Sequence, residues 1–351
     1  MEKLKTILVT GCGGDIGQSI GKIIRMEYKN TSLIGCDIYK EHAANFIFDK
    51  CEIVPRVDSL GYTEAITKIV KKYNPDIIIP MSEAELRYFH KKNITNINGV
   101  DLIMPNVESM KIGNDKLLTQ KFLKQHGLPY PWTIKVMDGK PKEFPCVLKD
   151  VAGRGSKGLL FVQQEDYEKY KMFGEQFIFQ EHLLPDNEEY TCGLFRSKNG
   201  EIRNIIFHRI LFQGYTNYGE VVENKKISNL LKVIAEKLDL VGSINVQLIL
   251  TANKGPVVFE INARFSSTVL FRHFLGFKDV VWTISDYFDE PLEKYSNPKF
   301  GAKIYKGWQE YVLCKDGTKS TIDNVNFETK PCLNRKILLK EFMMLKDKFE
   351  D

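Results

Sequence analysis

Gln247, Glu260, Asn262 and Arg264 are the residues of this sequence whose types and spacing say most about chemistry. They lie in the segment 243–264, SINVQLILTANKGPVVFEINAR, where two runs rich in Val, Ile, Leu and Phe flank the turn-like Ala252-Asn253-Lys254-Gly255. A hairpin with those four residues as its loop joins Thr251 to Pro256. Gln247 then falls opposite Glu260, and Asn245 opposite Asn262. Because side chains alternate along a strand, Ile244, Val246, Leu248, Leu250, Val257, Phe259 and Ile261 share the other face, toward a core. The polar face concentrates hard oxygen donors: one carboxylate and neighbouring amides. Mg²⁺ suits such a set, since it takes few protein ligands and completes its shell with phosphates and water. Gln247, Glu260 and Asn262 are the expected metal ligands, and Arg264, one period further on, stands where a cation would meet the phosphates.

Three other stretches carry chemistry. Lys149 closes a Val-Leu strand and opens the loop Asp150-Val151-Ala152-Gly153-Arg154-Gly155-Ser156-Lys157-Gly158. This is not a P-loop, since G-x-x-x-x-G-K-[ST] before a helix is absent. A Gly/Ser hairpin loop with cations can fold its amides over phosphates as a lid, with Lys149 beside the α- or β-phosphate. A plain exposed turn is the competing reading, weakened by the inward Lys on the flanking strand. Next, the backbone edge at Glu181, His182 and Leu183 could hydrogen-bond an adenine, and Glu188 or Glu189 could accept the ribose hydroxyls. Taken alone, acids in a turn are usually just solvated. Finally, Gly11-Cys12-Gly13-Gly14-Asp15-Ile16-Gly17 sits between a strand and a helix, with Asp37 beyond it. Gly11, Gly14 and Gly17 fit a dinucleotide fingerprint loosely. Amides at a helix start hold any anion, however, and no Tyr-x-x-x-Lys pair follows. An NAD-dependent oxidoreductase or epimerase is therefore the competing function, and tight turns for helix–sheet packing are the bland alternative. At 208–209, Arg209 is a candidate phosphate contact, whereas His208 reads as a satisfied strand histidine.

The elements that must position these residues follow from periodicity. A strand at 6–10 runs through the glycine loop into an amphipathic helix ending near Met26, then a strand at 32–36 ends at Asp37. Helix 63–73, the strand 76–80 and the acids Glu83 and Glu85 follow; a strand at 102–104 closes this unit near residue 110. Strands alternating with helices imply a parallel, doubly wound sheet. Helix 115–126 stops at Gly127-Leu128-Pro129. Strands are expected at 145–150, 158–163, 176–182, 189–196 and 202–212, helices at 165–173 and 225–238, and 213–220 reads as a loop. This hairpin-rich half is an α+β domain. Beyond about 290, short strands and a charged helix at 335–349 are expected.

With 351 residues, the chain has room for two or three cores. Fifty basic against 45 acidic residues give a net charge of +5, too mild and too interspersed to demand nucleic acid. The seven cysteines at 12, 36, 51, 146, 192, 314 and 332 are widely scattered and include no C-x-x-C pair, so neither a zinc site nor a disulfide framework is indicated. Reduced thiols in the cytoplasm are the simplest reading. No apolar run reaches about 18 residues, so no membrane span is expected, and the N-terminus lacks a signal-peptide core.

Taken together, these motifs resemble the ATP-grasp superfamily, most closely a single synthetase unit of the carbamoyl-phosphate synthase large subunit and its stand-alone relatives. The likeness runs from Lys5 to about residue 290. Asp115-Lys116 with Gly127-Leu128-Pro129 looks like the entry to the nucleotide domain, the strand ending in Lys149 its phosphate strand, and 152–158 its lid. Gln247, Glu260, Asn262 and Arg264 match the family's magnesium strand pair, the most specific of these features. The resemblance implies a Rossmann-like pre-ATP-grasp domain at 1–110 that binds substrate rather than NAD. A two-subdomain ATP-grasp fold would follow at 111–290 (lid-bearing 111–183, metal-binding 184–290), then an extension at 291–351. It implies an ATP-dependent ligase using Mg²⁺, with Mn²⁺ able to substitute, on a small carboxylate and an amine or ammonia, through an acyl phosphate. A non-catalytic ATP-binding regulator is a further alternative, and a homodimer would be in keeping with similar proteins. Implied catalytic residues are Lys149, Arg154 and Arg264. Lys116, Lys149, Gly153, Arg154, Gly155, Ser156, Glu181, His182, Leu183 and Glu189 would hold the nucleotide. Gly13, Gly14, Asp15, Glu83 and Arg209 would meet the substrate. The hinge-to-ribose interval is one residue longer than the family's, which keeps Glu188 beside Glu189 as a candidate. One synthetase unit without an amidotransferase segment points away from carbamoyl-phosphate synthesis itself.

Overall fold

The computed structural model describes residues 4–151, 159–212, 214–295, 298–307, 309, 311–313 and 319–321. Two compact units divide the chain, Met1–Gly307 and Trp308–Asp351. The first begins with the strand β1 (Thr6–Thr10), helix α1 (Asp15–Glu27), β2 (Ser32–Asp37), β3 (Lys50–Ile53), α2 (Tyr62–Tyr73), β4 (Ile77–Ile79) and α3 (Glu83–Lys92). The sheet is parallel, in the order β3-β2-β1-β4. The expected strand at 102–104 is reduced to one bridge, Leu102 beside Ile78. Apolar runs without alternation explain the parallel form, because both faces are covered. Ile7 and Val9 pack with Ile20, Ile23 and Ile24 of α1, while Leu8 packs with Ile66, Ile69 and Val70 of α2. Strand order reverses about β1, so the turns after β1 and β4 open a crevice at the carboxyl ends of the strands.

A small hairpin, β5 (Asn96–Ile97) with β6 (Val100–Asp101), leads to α4 (Val107–Gly113) and α5 (Lys116–Gln125). The Asp115 side chain caps α5, accepting from the N–H groups of Leu117 and Leu118 at 2.7 and 3.0 Å. Then come β7 (Thr133–Lys135), β8 (Cys146–Asp150), β9 (Leu160–Val162), α6 (Tyr167–Tyr170) and β10 (Phe177–Glu181). These strands form an antiparallel sheet, β7-β10-β8-β9, over a core of Trp132, Leu148, Val162 and Phe179. The rest comprises β11 (Glu189–Arg196), β12 (Ile202–Phe212), β13 (Tyr215–Val221), α7 (Lys225–Lys237), β14 (Gly242–Thr251), β15 (Gly255–Asn262), α8 (Val269–Phe274), α9 (Asp279–Tyr287) and β16 (Lys303–Tyr305). Six strands join in the order β15-β14-β11-β12-β13-β16, so this sheet takes its last strand from beyond residue 290. Ile227, Leu230, Leu231 and Ile234 of α7 cover one face, as their spacing requires.

Several expectations need correction. Segment 213–220 is not a loop: Tyr215–Val221 pairs antiparallel with β12, its turn residues notwithstanding. The hairpin loop has three residues, not four, because Thr251 pairs with Gly255. A bulge at Phe259 restores the lost residue, so Gln247 still faces Glu260 and Asn245 still faces Asn262. Between turn and bulge the faces are exchanged. Val258 lies in the core in place of Phe259, and Val257 pairs with Ile249, away from that core. Helices α3, α4, α8 and α9 were not anticipated; the helix expected at 335–349 lies outside the described residues.

After the hairpin the chain returns to the first sheet. Phe265, Val269, Val280, Val281 and Ile284 share a core with Ile20, Ile23 and Ile24 of α1. The glycine turn is thereby held facing β14 and β15. Gly17 makes its tight form feasible: a Cβ there would stand 2.4 Å from the Gly11 carbonyl oxygen and 2.8 Å from the Cys12 Cα. Neither backbone atom can move aside without distorting the turn. Gly17→Ala is therefore expected to cost about 1–3 kcal/mol, read as a lower urea midpoint at unchanged slope. At Gly14 the nearest atom to a Cβ is 3.6 Å away, so Gly14→Ala should lose less; equal losses would refute this packing role for Gly17.

Candidate functional site

Two adjoining cavities meet at the polar face of the hairpin. The first, of about 300 Å³, lies between the two antiparallel sheets. Val147, Phe161, Leu183, Ile249 and Phe259 give it apolar walls, and Lys116, Lys149, Glu189, Arg209, Gln247 and Glu260 its polar end. The second, of about 380 Å³, is bounded by Gly14, Asp15, Ile16, Gly17 and Glu83 of the parallel domain and by Asn245, Asn262 and Arg264 of the hairpin. Arg209, Leu211, Gln247 and Glu260 line both.

The shared wall is dense with charge. Lys116 and Glu260 are nearly buried, with Nζ 3.3 Å from Oε1. Burial is the largest influence on Glu260 and opposes its ionisation, yet Lys116, Lys149 and Arg264 hold the carboxyl below its usual range. Lys149 lies with Nζ 5.4 Å from the centre of the Phe259 ring, the side chain that the bulge brings into the cavity. Burial, then the charge of Lys116, pushes the Lys149 ammonium down to about 7, against the partial opposition of Glu260 and Glu189. Arg209 ties three strands together. Its guanidinium donates to Glu189 through Nε at 3.1 Å and through Nη2, to Gln247 Oε1 at 3.0 Å, and to Thr216 Oγ1 at 3.4 Å.

The hairpin donors suit a hard cation. Each oxygen of the set already faces positive charge: Glu260 faces Lys116, Gln247 accepts from Arg209, and Asn262 Oδ1 accepts from Arg264 Nη2 at 3.2 Å. Gln247, Glu260 and Asn262 therefore present the carboxylate and carbonyl oxygens that Mg²⁺ takes.

At the far end of the first cavity, Glu181, His182 and Leu183 follow from β10. Glu181 Oε2 accepts from the Trp132 N–H at 3.0 Å, and Oε1 from Lys254 Nζ at 2.5 Å. The His182 ring meets Phe161 edge-on at 4.8 Å and bonds Asp186 Oδ1 at 2.8 Å. Of the two ribose candidates, Glu189 lines this cavity; Glu188 accepts the Tyr190 hydroxyl at 2.6 Å and lines a groove beside the hairpin turn. His208 is satisfied by the Asn187 carbonyl at 2.7 Å.

The candidate substrate residues divide. Gly14, Asp15, Glu83 and Arg209 share the second cavity, where Arg264 Nη2 lies 3.6 Å from Glu83 Oε2. Gly13 instead lines a neighbouring cavity, and its N–H donates to Asp37 Oδ2 at 2.9 Å. The N–H of Gly14 donates to Gly11 O at 3.3 Å. Two amides that a pyrophosphate would need are thus engaged within the fold, which weakens the NAD reading. Gly153, Arg154, Gly155 and Ser156 lie outside the described residues. Sequence reasoning missed Lys254 and also Lys306, whose Nζ meets Asp15 Oδ2 at 3.0 Å. Both contacts join residues more than 70 positions apart, and no local pattern announces them. Phe259 was missed because its face depends on the bulge.

Residues 113–268 match the family model for the ATP-grasp domain, and residues 7–103 that for the PylC-like N-terminal domain. The chain is similar to the formate-dependent phosphoribosylglycinamide formyltransferase of Bacteroides fragilis, 29% identical over 220 residues, 56% of this chain and 52% of the relative. It therefore spans about half the length of that relative. Its fold is that of an N5-carboxyaminoimidazole ribonucleotide synthetase solved as an ADP complex, with TM-score 0.68, 18% identity, and 84% of this chain and 81% of the other covered. The biotin carboxylase of Campylobacter jejuni gives TM-score 0.66 at 17% identity, with coverage of 86% and 74%.

The depressed Lys149 has a pH signature. A polyphosphate in the first cavity favours the charged ammonium, so its affinity for protons rises on binding. Below about pH 7 free Lys149 is already charged and adds no pH dependence; above it, binding must recover the lost proton. Affinity for Mg-ATP should thus fall as pH rises above about 7, by at most about tenfold per unit. Calorimetry in buffers of differing ionisation enthalpy should show proton uptake that Lys149→Met abolishes. Unchanged affinity and no uptake across that range would remove Lys149 from the phosphate site.

Proposed function

This chain carries an ATP-grasp domain behind a PylC-like N-terminal domain, and from that premise we propose that it is an ATP-dependent ligase joining a carboxylate to an amine or ammonia. The observation that supports this most is the wall common to both cavities. One cavity offers apolar walls and a backbone edge, the other the glycine turn and the start of α1, and Arg209, Gln247 and Glu260 line both. A phosphoryl donor on one side can meet an acceptor on the other without crossing bulk water.

ATP would lie in the first cavity, its adenine at 181–183, its ribose at Glu189, and its phosphates toward Lys116 and Lys149. Glu260 and Asn262, supported by Gln247, would hold Mg²⁺, which offsets phosphate charge when bound. The substrate carboxylate would enter the second cavity. Arg264 and the free amides of the first turn of α1 would hold it there. Its oxygen attacks the γ-phosphorus, the bond to the β-phosphate oxygen breaks, and ADP leaves. An amine nitrogen then attacks the acyl carbon, loses a proton, and inorganic phosphate departs with the C–O electron pair. Lys149, Arg154 and Arg264 stabilise charge developing on the transferred group. The formate dependence in the name of the Bacteroides fragilis relative supports activation of a small carboxylate.

A panel of carboxylates and amines, assayed for ADP release with Mg-ATP, tests the reading. Turnover with at least one pair is expected, together with binding of ATP and not of NADH. NADH binding alone would favour the oxidoreductase, and ATP binding without turnover a regulator. In the active pair, Glu260→Ala should lower the rate by about 10²-fold or more; ADP formation at the parent rate would refute the metal assignment.

A further inference from the structure

Cys12, His42 and Cys51 bring two sulfurs and one imidazole nitrogen to within 4.8 Å of one another, apart from both cavities of the proposed ligase site. They come from three segments. Cys12 lies in the glycine turn after β1, His42 between β2 and β3, and Cys51 on β3. Strand β2 separates β1 from β3, and its residue beside Cys51 is Gly35. A Cβ on Gly35 would stand 2.7 Å from the Cys12 sulfur, so the missing side chain makes the room in which the sulfurs meet. A Cβ on Gly13 would likewise stand 2.8 Å from His42 Cδ2, and its absence lets the imidazole settle over the turn. His42 Nδ1 is buried with no hydrogen-bond partner.

We propose that Cys12, Cys51 and His42 form a binding site for a thiophilic divalent cation of the Zn²⁺ class. The donors are two thiols and an imidazole, the set that zinc prefers over oxygen. Three ligands leave one tetrahedral position, which water would fill from the adjoining cavity of about 440 Å³ that His42 lines. Charge balances: binding expels both thiol protons, and two thiolates neutralise the 2+ ion, so no net charge is buried beside the fully buried Cys12. A disulfide fits less well. Cys12 and Cys51 are both free thiols, and a disulfide would require their Cα atoms to come within about 7 Å of each other. The oxygen donors of the hairpin suit Mg²⁺, so the chain would sort a hard and a soft cation between two sites.

Cobalt titration of the reduced, metal-free full chain tests this. One equivalent of Co²⁺ should give a thiolate-to-cobalt charge-transfer band with the visible bands of a tetrahedral site, and Zn²⁺ should bleach both. Oxygen ligands give no such band, so the readout is blind to Glu260 and Asn262. Cys51→Ser should weaken or remove the band and His42→Ala should lower the affinity at least tenfold, while the double variant Cys314→Ser/Cys332→Ser should leave the spectrum unchanged. Should Cys51→Ser fail to fold by circular dichroism, His42→Ala decides alone. The proposal is overturned by absence of the band, by a band that survives His42→Ala at full affinity, or by a Cys12–Cys51 disulfide forming in air in the metal-free chain.

Discussion

One carboxylate kept ionised in a nearly dry wall is the constraint around which this molecule is arranged. Burial disfavours the charge on Glu260, and Lys116, Lys149 and Arg264 overcome that preference. Each of those cations comes from a different element: the first residue of α5, the fourth residue of β8, and the segment after β15. None can be withdrawn without leaving a buried charge less compensated, which is where desolvation costs most. Lys149 bears the consequence: burial first, and then the charge of Lys116, pushes its ammonium down to about 7.

The chemistry of that wall was legible because a hairpin obeys a parity rule. Opposed residues keep a constant sum of positions, and Gln247 with Glu260 and Asn245 with Asn262 satisfy the same sum. The route to that register was not legible. Val257, Val258 and Phe259 are three apolar residues in a row, so either parity offers the core an apolar side chain. Sequence alone therefore cannot distinguish a four-residue loop from a three-residue loop plus a bulge. The fold chose the second, turning Phe259 under Lys149 and Val258 into the core. A bulge is a local kink that re-aims a side chain; here it adds an aromatic floor to the first cavity without disturbing the donors.

The parallel domain was readable for a different reason. Its strands are apolar without alternation and its helices carry single stripes, so burial on two faces follows from composition. The purpose of the glycine turn did not follow. Gly11, Gly14 and Gly17 make the same tight turn whether the crevice holds a dinucleotide, another anion or none. What discriminates is long-range: which turn amides are already engaged, and which elements stand opposite. Asp37 takes the amide of Gly13, and the hairpin stands across from α1. Lys254 and Lys306 escaped notice on the same ground, since each acts through a partner remote in sequence.

Continuity of the chain explains how two separately patterned halves build one shared wall. Asn262 ends β15, Arg264 reaches Glu83 of the parallel domain, and Phe265 is already inside that domain's core. Three residues thus carry the chain from donor strand to foreign core, with almost no length to spare for a hinge. The fully buried pair Arg272–Asp279, at 2.9 Å, and the Ser243 hydroxyl on Asp279 at 2.6 Å anchor α8 and α9 to the start of β14. Gly193 of β11 leaves the space for that guanidinium, since a Cβ there would stand 2.6 Å from Nη1. Breaking such a pair costs more than forming it gains, so it fixes position more than it adds stability. Movement between hairpin and glycine turn is therefore resisted at the open end of the hairpin, where β14 starts and β15 stops. The sheet β7-β10-β8-β9, by contrast, meets the wall through side chains such as Lys149 and Glu181 rather than through shared strands.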